Sequence, residues 1–397
     1  MKKFVFNFFL LFILLFVLVT IILTTIGIET NKFNKFISEK VSQTKNINID
    51  FETIKFKIDP KELSLFLETK KPKISFREIS VTVKNIKVYI DFLSLFKSTA
   101  QIKKISVVTE EIDISQLKKL SIIIKPSNFK SLLNNKIKEG KLISEIDIFL
   151  NEDGLLKDFI TKGSVKNLKV ELLKDLYFSK MNFNFFADKN DILVKNIFGN
   201  LIDIKISDGD IKLKIDDGIK VNSNFNSQIN LNKDLFEKYQ KYLKKFDFVN
   251  NVKNFKGSLN NTLSINLDNT YKVKDYNLNI LGTQISGMFE LPKPIKNNLI
   301  EEEIKEIYFS DLQIRSILKP KKISLNGDGK YSLNKSNFFK INFKNNFDNN
   351  LEKFQYNLDY GGTLELGLIN YKKIKNKKAN LNLNIEKKKN IIKVKKF

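Results

Sequence analysis

Enzyme chemistry needs side chains that hold a proton, a metal or a nucleophile, and this chain lacks two of the commonest. It contains no His and no Cys. That removes Ser-His-Asp and Cys-His nucleophiles, thiolates, His-ligated zinc or iron, and the usual proton shuttle near neutral pH. Carboxylate, Lys and Ser-Lys chemistry remain available. Asp208-Gly209-Asp210 and Asp216-Asp217-Gly218 offer carboxylates for calcium but lack the spacing of a calcium loop, and Asp-Gly pairs between alternating strands read as turns. Gly327-Asp328-Gly329 and Gly361-Gly362 are followed by no Lys-Ser/Thr and open no helix, so neither is a phosphate loop. Glu301-Glu302-Glu303 reads as the solvated start of a helix or strand, and Asn260-Asn261-Thr262 as a glycosylation match of little weight. No catalytic, cofactor or metal site is assigned, and the chain is not read as an enzyme.

The formal charge is +25, from 69 Lys+Arg against 44 Asp+Glu. Such a balance can mark an anionic partner. Arg, the residue suited to bidentate phosphate contacts, appears only at Arg77 and Arg315, and the Lys are spread evenly. With Lys, Asn, Ile and Phe all abundant, codon drift in an AT-rich genome accounts for the charge, and nucleic acid is not expected as a partner.

The elements that must position any site are mostly strands. From Ile47 onward apolar residues recur with a period of two: Ile54-x-Phe56-x-Ile58, Ile146-x-Ile148-x-Leu150, Leu168-x-Val170-x-Leu172, Phe183-x-Phe185, Leu263-x-Ile265-x-Leu267, Leu278-x-Ile280, Phe339-x-Ile341-x-Phe343 and Leu381-x-Leu383-x-Ile385. The alternate positions are Lys, Asn, Asp, Glu and Ser, so each strand has one apolar and one wet face. Val81-x-Val83 and Ile86-x-Val88-x-Ile90 are out of phase, which predicts a bulge near Lys84-Asn85. Ile202-x-Ile204-x-Ile206 and Ile211-x-Leu213-x-Ile215 are expected to be joined by a hairpin turn at Ser207-Asp208-Gly209-Asp210. Helices are expected at Asn31–Ser42, Asn128–Lys138, Asn232–Phe246 (with Asn232 or Asp234 as N-cap) and Lys296–Lys305. No linker interrupts this pattern, and strand–turn–strand units recur loosely every 35–50 residues, as in quasi-one-dimensional folds.

Ahead of the strands, Phe4 to Ile28 contains no charge and only Asn7, Thr20, Thr24 and Thr25 as polar residues. That is long enough for a membrane-spanning helix, which needs about 20 residues. A cleaved signal peptide has a shorter apolar core, and Thr25-Ile26-Gly27-Ile28-Glu29 offers no Ala-x-Ala pattern. The expected organisation is a cytoplasmic tail and anchor over residues 1–30, an amphipathic helix and linker over 31–46, and one elongated β domain over 47–397 outside the cytoplasm.

In this order the chain resembles the AsmA-like family of bacterial envelope proteins, the TamB and YhdP type. The resemblance is carried by the basic start and anchor, Lys32-Phe33-Asn34-Lys35-Phe36-Ile37, Ile79-Ser80-Val81-Thr82-Val83, Phe92-Leu93-Ser94-Leu95-Phe96 and Ile112-Asp113-Ile114, and again by Leu235 to Pro292. It implies a taco-like repeating β-groove: one long, curved antiparallel sheet with few short helices, anchored in the bacterial inner membrane with its bulk in the periplasm. It also implies a role in outer-membrane lipid homeostasis, as a holder or conduit of phospholipid between inner and outer membranes. The chain is shorter than bridging members and has no evident outer-membrane docking helix.

Physics is compatible with such a groove. At about 4.8 Å per strand, 20–25 strands would reach roughly 100–120 Å. Acyl chains lying on the apolar face would replace the second sheet of a sandwich, at about 0.8 kcal/mol per buried methylene. The expected groove residues are Val170, Phe183, Phe185, Ile204, Leu213, Ile265 and Ile280, with Lys169, Asn184, Lys205, Lys212 and Asn279 on the wet face. The expected partners are phospholipid acyl chains, the inner membrane through residues 4–28, and an outer-membrane or envelope protein. Two other functions compete: an assembly factor for outer-membrane proteins, and an anchored structural β-solenoid with a dry core.

Overall fold

A computed structural model describes residues 2–30, 47–50, 53–60, 64–76, 79–91, 101–123, 126–216, 218–237, 251–270, 272–297, 300–348, 351–375, 377–388 and 391–396. Strand accounts for 72% of the chain, and the ladders between described strands are antiparallel, so the expected mainly-β class is observed. The chain divides into two compact units, Met1–Lys174 with Met181–Leu193, and Asp175–Lys180 with Val194–Phe397.

The first unit opens with α1 (Lys2–Thr25). Its segment Phe6–Thr25 is long and apolar enough to cross a membrane, and none of it is buried in protein. The helix ends because Gly27 adopts φ +77°, a left-handed conformation glycine takes without steric cost. The N–H groups of Ile26 and Gly27 both donate to the Ile22 carbonyl, at 3.0 and 2.8 Å. The chain enters β1 (Ile28–Thr30) at once. There follow β2 (Ile47–Asp50), β3 (Ile54–Asp59), β4 (Ser64–Lys70), β5 (Lys73–Phe76), β6 (Ile79–Ile90), β7 (Ile102–Thr109), β8 (Ile112–Asp113), α2 (Ile114–Leu120), α3 (Asn128–Asn135), β9 (Ile137–Leu150) and β10 (Leu156–Leu173). The ladder runs β1–β3–β4–β6–β7–β9–β10, and β2 and β5 add to the start of β6.

The register of β6 shifts between Val83 and Asn85, the bulge its two out-of-phase runs require, and there it changes partner from β5 to β4. The α3 helix lies where the spacing predicted one, capped by the Ser127 side chain, which accepts from the Lys130 N–H at 3.2 Å. Ile54, Leu67 and Ile90, with Phe56 and Val88, form the core on one face of β3, β4 and β6.

Two strands, β11 (Leu176–Asp188) and β12 (Asp191–Leu201), are divided between the units. The second unit continues with β13 (Ile204–Asp216), β14 (Gly218–Leu231), β15 (Val252–Leu267), β16 (Val273–Asn297), β17 (Ile300–Lys319), β18 (Lys322–Leu333), β19 (Phe339–Asp348), β20 (Leu351–Tyr360), the small hairpin β21 (Leu364–Leu366) and β22 (Tyr371–Lys373), then β23 (Ala379–Lys388) and β24 (Ile391–Lys396). Apart from that small hairpin, each of these strands pairs with the next in an uninterrupted meander.

Four expectations differ from the structure or lie wholly or partly outside the described residues. Ser207–Asp210 is not a hairpin turn but a bulge inside β13: Ser207 pairs with Asn226 and Asp210 with Asn224, leaving Asp208 and Gly209 over. The runs ending at Ile206 and beginning at Ile211 are out of phase, and the extra residue returns both to one face. Lys296–Lys305 is not a helix. Its described residues belong to the end of β16 and the start of β17, where Ile295 pairs with Ile304, and burial of Ile304 on the ladder overrides local propensity. The Asn31–Ser42 helix lies outside the described residues. Of Asn232–Phe246 only 233–237 are described as helical, and there Asn232 is the cap, its side-chain oxygen accepting from the Leu235 N–H at 3.0 Å.

Candidate functional site

Residues directly opposite in an antiparallel ladder share a face, so the registers trace one apolar surface across the second unit. Leu213 faces Val221, which faces Ile265, which faces Tyr276. Ile280 lies on the same face of β16, opposite Asn261 and Ser316. Ile206 pairs with Ser227 on this face, and Ile204, two residues back, belongs to it. Four of the seven expected groove residues are thus brought onto one surface, all half-buried, while Lys205 and Lys212 are exposed on the other.

The remaining three belong to the first unit. Val170 pairs with Ile137 just beyond a bulge between Lys166 and Lys169. Phe183 and Phe185 are half-buried and flank the exposed Asn184. The Phe185 ring lies over Gly163, where a Cβ would come within 2.8 Å of it. Lys169 turns the other way and pairs with Glu139 at 2.9 Å.

The densest part of the surface is farther along the meander than these residues suggest. Ile285, Leu312, Tyr331, Ile341 and Phe343 are buried there against Phe255, Leu259, Phe309, Ile314, Leu325 and Tyr356. Apart from Tyr331 and Leu259, these side chains line a cavity of about 490 Å³ extending over β15 to β20. That is within the 300–1,000 Å³ or so of small-molecule pockets. None of the seven expected residues lines it. The alternation at Phe339-x-Ile341-x-Phe343 marked the strand, but not the glycines opposite it. Gly327 pairs with Phe343, and a Cβ on Gly327 would stand 2.5 Å from the ring. The ring therefore lies flat across the neighbouring strand, leaving space above it.

Nothing among the described residues closes the surface as a second sheet would. Apart from the β21–β22 hairpin, the described strands of this unit belong to a single sheet. Polar groups on the apolar face include Asn261, which donates to Ser227 Oγ at 3.1 Å, and Asn345, whose amide donates to the Tyr356 hydroxyl at 3.4 Å while its Oδ1 is buried with no hydrogen-bond partner among the described residues. Burial pushes the Tyr356 phenol up, with the Asn345 bond working against it. The described residues contain no cluster of carboxylates fit to hold a metal ion.

A further enclosed polar group is Lys373. Its ammonium is buried, bonds the carbonyl oxygens of Gly362 and Ile374, and stands 5.2 Å over the Tyr360 ring. Burial pushes its pKa down. Set among carbonyls and a ring, it ties the β21–β22 hairpin to the end of β20 and presents no nucleophile to solvent.

Compared with protein-family models, curated proteins and solved structures, the chain matches none.

Proposed function

We propose that the chain is a membrane-anchored, non-enzymatic holder or conduit of phospholipid acyl chains, working between the inner and outer membranes of a bacterial envelope with its sheet in the periplasm. The observation that carries this reading is the cavity of about 490 Å³ on an apolar sheet face that no second sheet covers among the described residues. Acyl chains fit such a surface because they supply the apolar partner a sandwich would take from its second sheet, with no directional contacts to satisfy. The junction with α1 adds support. Only Ile26 and Gly27 separate α1 from β1, and a Cβ on Gly27 would stand 2.7 Å from Lys57 Cγ on β3, so the first ladder starts where the apolar helix ends.

Photo-crosslinking in cells tests the reading. A crosslinker at Leu213, Ile265 or Ile280 should capture phospholipid, and one at Lys212 or Asn279 should not, because a one-residue step reverses the face. Adducts on both faces, or on neither, would remove the lipid reading.

A further inference from the structure

The apolar trough abuts a second cavity of different chemistry. This one has a volume of about 370 Å³ and is lined by Tyr276, Phe347 and Leu351 together with the β17–β18 turn, Lys319-Pro320-Lys321-Lys322. Phe347 lines both cavities, so they adjoin at that residue. Lys319, Lys321 and Lys322 have no carboxylate within ion-pair distance among the described residues, and all three are exposed. The other charges of the cavity do not cancel them. Glu352 is engaged by Lys387 at 3.2 Å, and Asp348 is the single remaining carboxylate. The trough's own carboxylate is neutralised instead, Glu290 pairing with Lys253 at 2.5 Å. The trough is therefore apolar along its floor and carries unpaired positive charge at one end.

We infer that the trough takes an anionic amphiphile, a lipid whose phosphate docks on Lys319, Lys321 and Lys322 and whose chain passes Phe347 into the apolar cavity. This rests on the reading of the trough as an acyl-chain site. Lys suits the task as a flexible point charge that needs no fixed geometry. Pro320 restricts the turn that carries the three ammonium groups. Attraction at an exposed rim is modest and screened by salt, so the rim biases head-group choice while the chain supplies most of the affinity.

Equilibrium binding to the full chain in a neutral detergent tests this, with fluorescent-acyl phosphatidylglycerol against phosphatidylcholine carrying the same chain. At low salt the anionic lipid is expected to bind roughly tenfold tighter, a difference of about 1.4 kcal/mol. Replacing Lys319, Lys321 and Lys322 together by Gln should reduce that preference to about twofold or less. Binding of phosphatidylcholine, whose choline offsets its phosphate charge, should change by about twofold or less. Replacing the outward-facing Lys256, Lys340 and Lys344 by Gln removes the same net charge and should leave the preference in place. Equal affinity of the unaltered protein for the two lipids, or a preference that survives the rim triple variant, overturns the head-group site and leaves the acyl-chain reading standing. Loss of the preference in both triple variants assigns it to net charge and overturns the site as well. Displacement of phosphatidylglycerol by excess inorganic phosphate alone would mark a free-phosphate site and overturn the amphiphile. Failure of both lipids to bind overturns the trough reading together with this one.

Discussion

Tyr331 on β18 donates its hydroxyl to the backbone carbonyl of Asp359 on β20, at 2.9 Å. The two strands are not neighbours, since β19 lies between them. In a flat sheet they would be roughly 9.6 Å apart, beyond the reach of one phenol that must also lie over the intervening strand. The bond forms because the sheet curls inward here, and it holds that curl. Tyr331→Phe keeps the ring and removes the bond, leaving the carbonyl without this donor. A loss of about 1 kcal/mol in urea unfolding is expected.

Alkaline pH probes the same corner. Burial raises the Tyr331 phenol far above the ordinary 10.0, with the charges of Tyr360 and Asp359 adding to it, and burial also raises Tyr360. A folded pKa above the unfolded value means the folded state holds protons that the unfolded state releases. The stability these groups contribute is complete below about pH 10 and declines as pH rises beyond it. Tyrosinate absorbance should therefore appear in two stages, the exposed phenols first and Tyr331, Tyr360 and the likewise raised Tyr356 only as the sheet unfolds. A single stage near pH 10 would contradict the burial.

The floor of the trough depends on Gly327. A Cβ there would stand 2.5 Å from Phe343 Cζ and 3.1 Å from the Gln313 carbonyl, so Gly327→Ala must lift the ring. A loss of roughly 1–3 kcal/mol is expected from the crowding. Combining it with Phe343→Leu should recover part of that loss, because the two changes share one volume. Additive losses in this double-mutant cycle would show that the ring does not lie over the glycine.

The strands were legible because a period of two survives almost everywhere, and the bulge of β6 followed from a change of phase at Val83/Ile86. The same reasoning applied at Ile206/Ile211, yet Asp208-Gly209 looks like turn chemistry, and local composition obscured the count. The shared apolar face of Leu213, Ile265 and Ile280 was readable from alternation. The cavity was not, because its depth comes from cross-strand pairs such as Gly327 with Phe343, whose register no single strand encodes. The cationic rim escaped for a similar reason. Lys319, Lys321 and Lys322 look like any lysines of a basic chain until the fold sets them beside Phe347.

At the β13 bulge Asp208 holds φ +49°, a conformation open to Asp and Gly and hostile to branched residues. Asp208→Gly should be neutral to within about 0.5 kcal/mol, and Asp208→Val should cost about 1–3 kcal/mol, both read by thermal unfolding. Deleting Asp208 is more severe. It would return Ile211, Leu213 and Ile215 to the wet face, so the protein should aggregate or expose its apolar surface to a hydrophobic dye.

Leu213 separates an open trough from a dry layer. It is half-buried opposite Val221, and its neighbour Lys212 is exposed on the other face. A carboxylate at position 213 of a dry core would be an uncompensated buried charge, costing several kcal/mol and unfolding the unit. In an open trough the same carboxylate keeps part of its hydration and costs about 1 kcal/mol or less, but it sets a charge in the path of the acyl chains. Leu213→Asp should therefore leave the melting temperature close to that of the unaltered protein while reducing the lipid recovered from the purified chain. Lys212→Asp should change neither measurement. Ile204→Asp repeats the test at the far end of β13, where the half-buried side chain lies on the same face. If both apolar-to-Asp variants collapse the fold while the lysine variant does not, the face is packed against protein, and the trough reading fails on stability before lipid is measured.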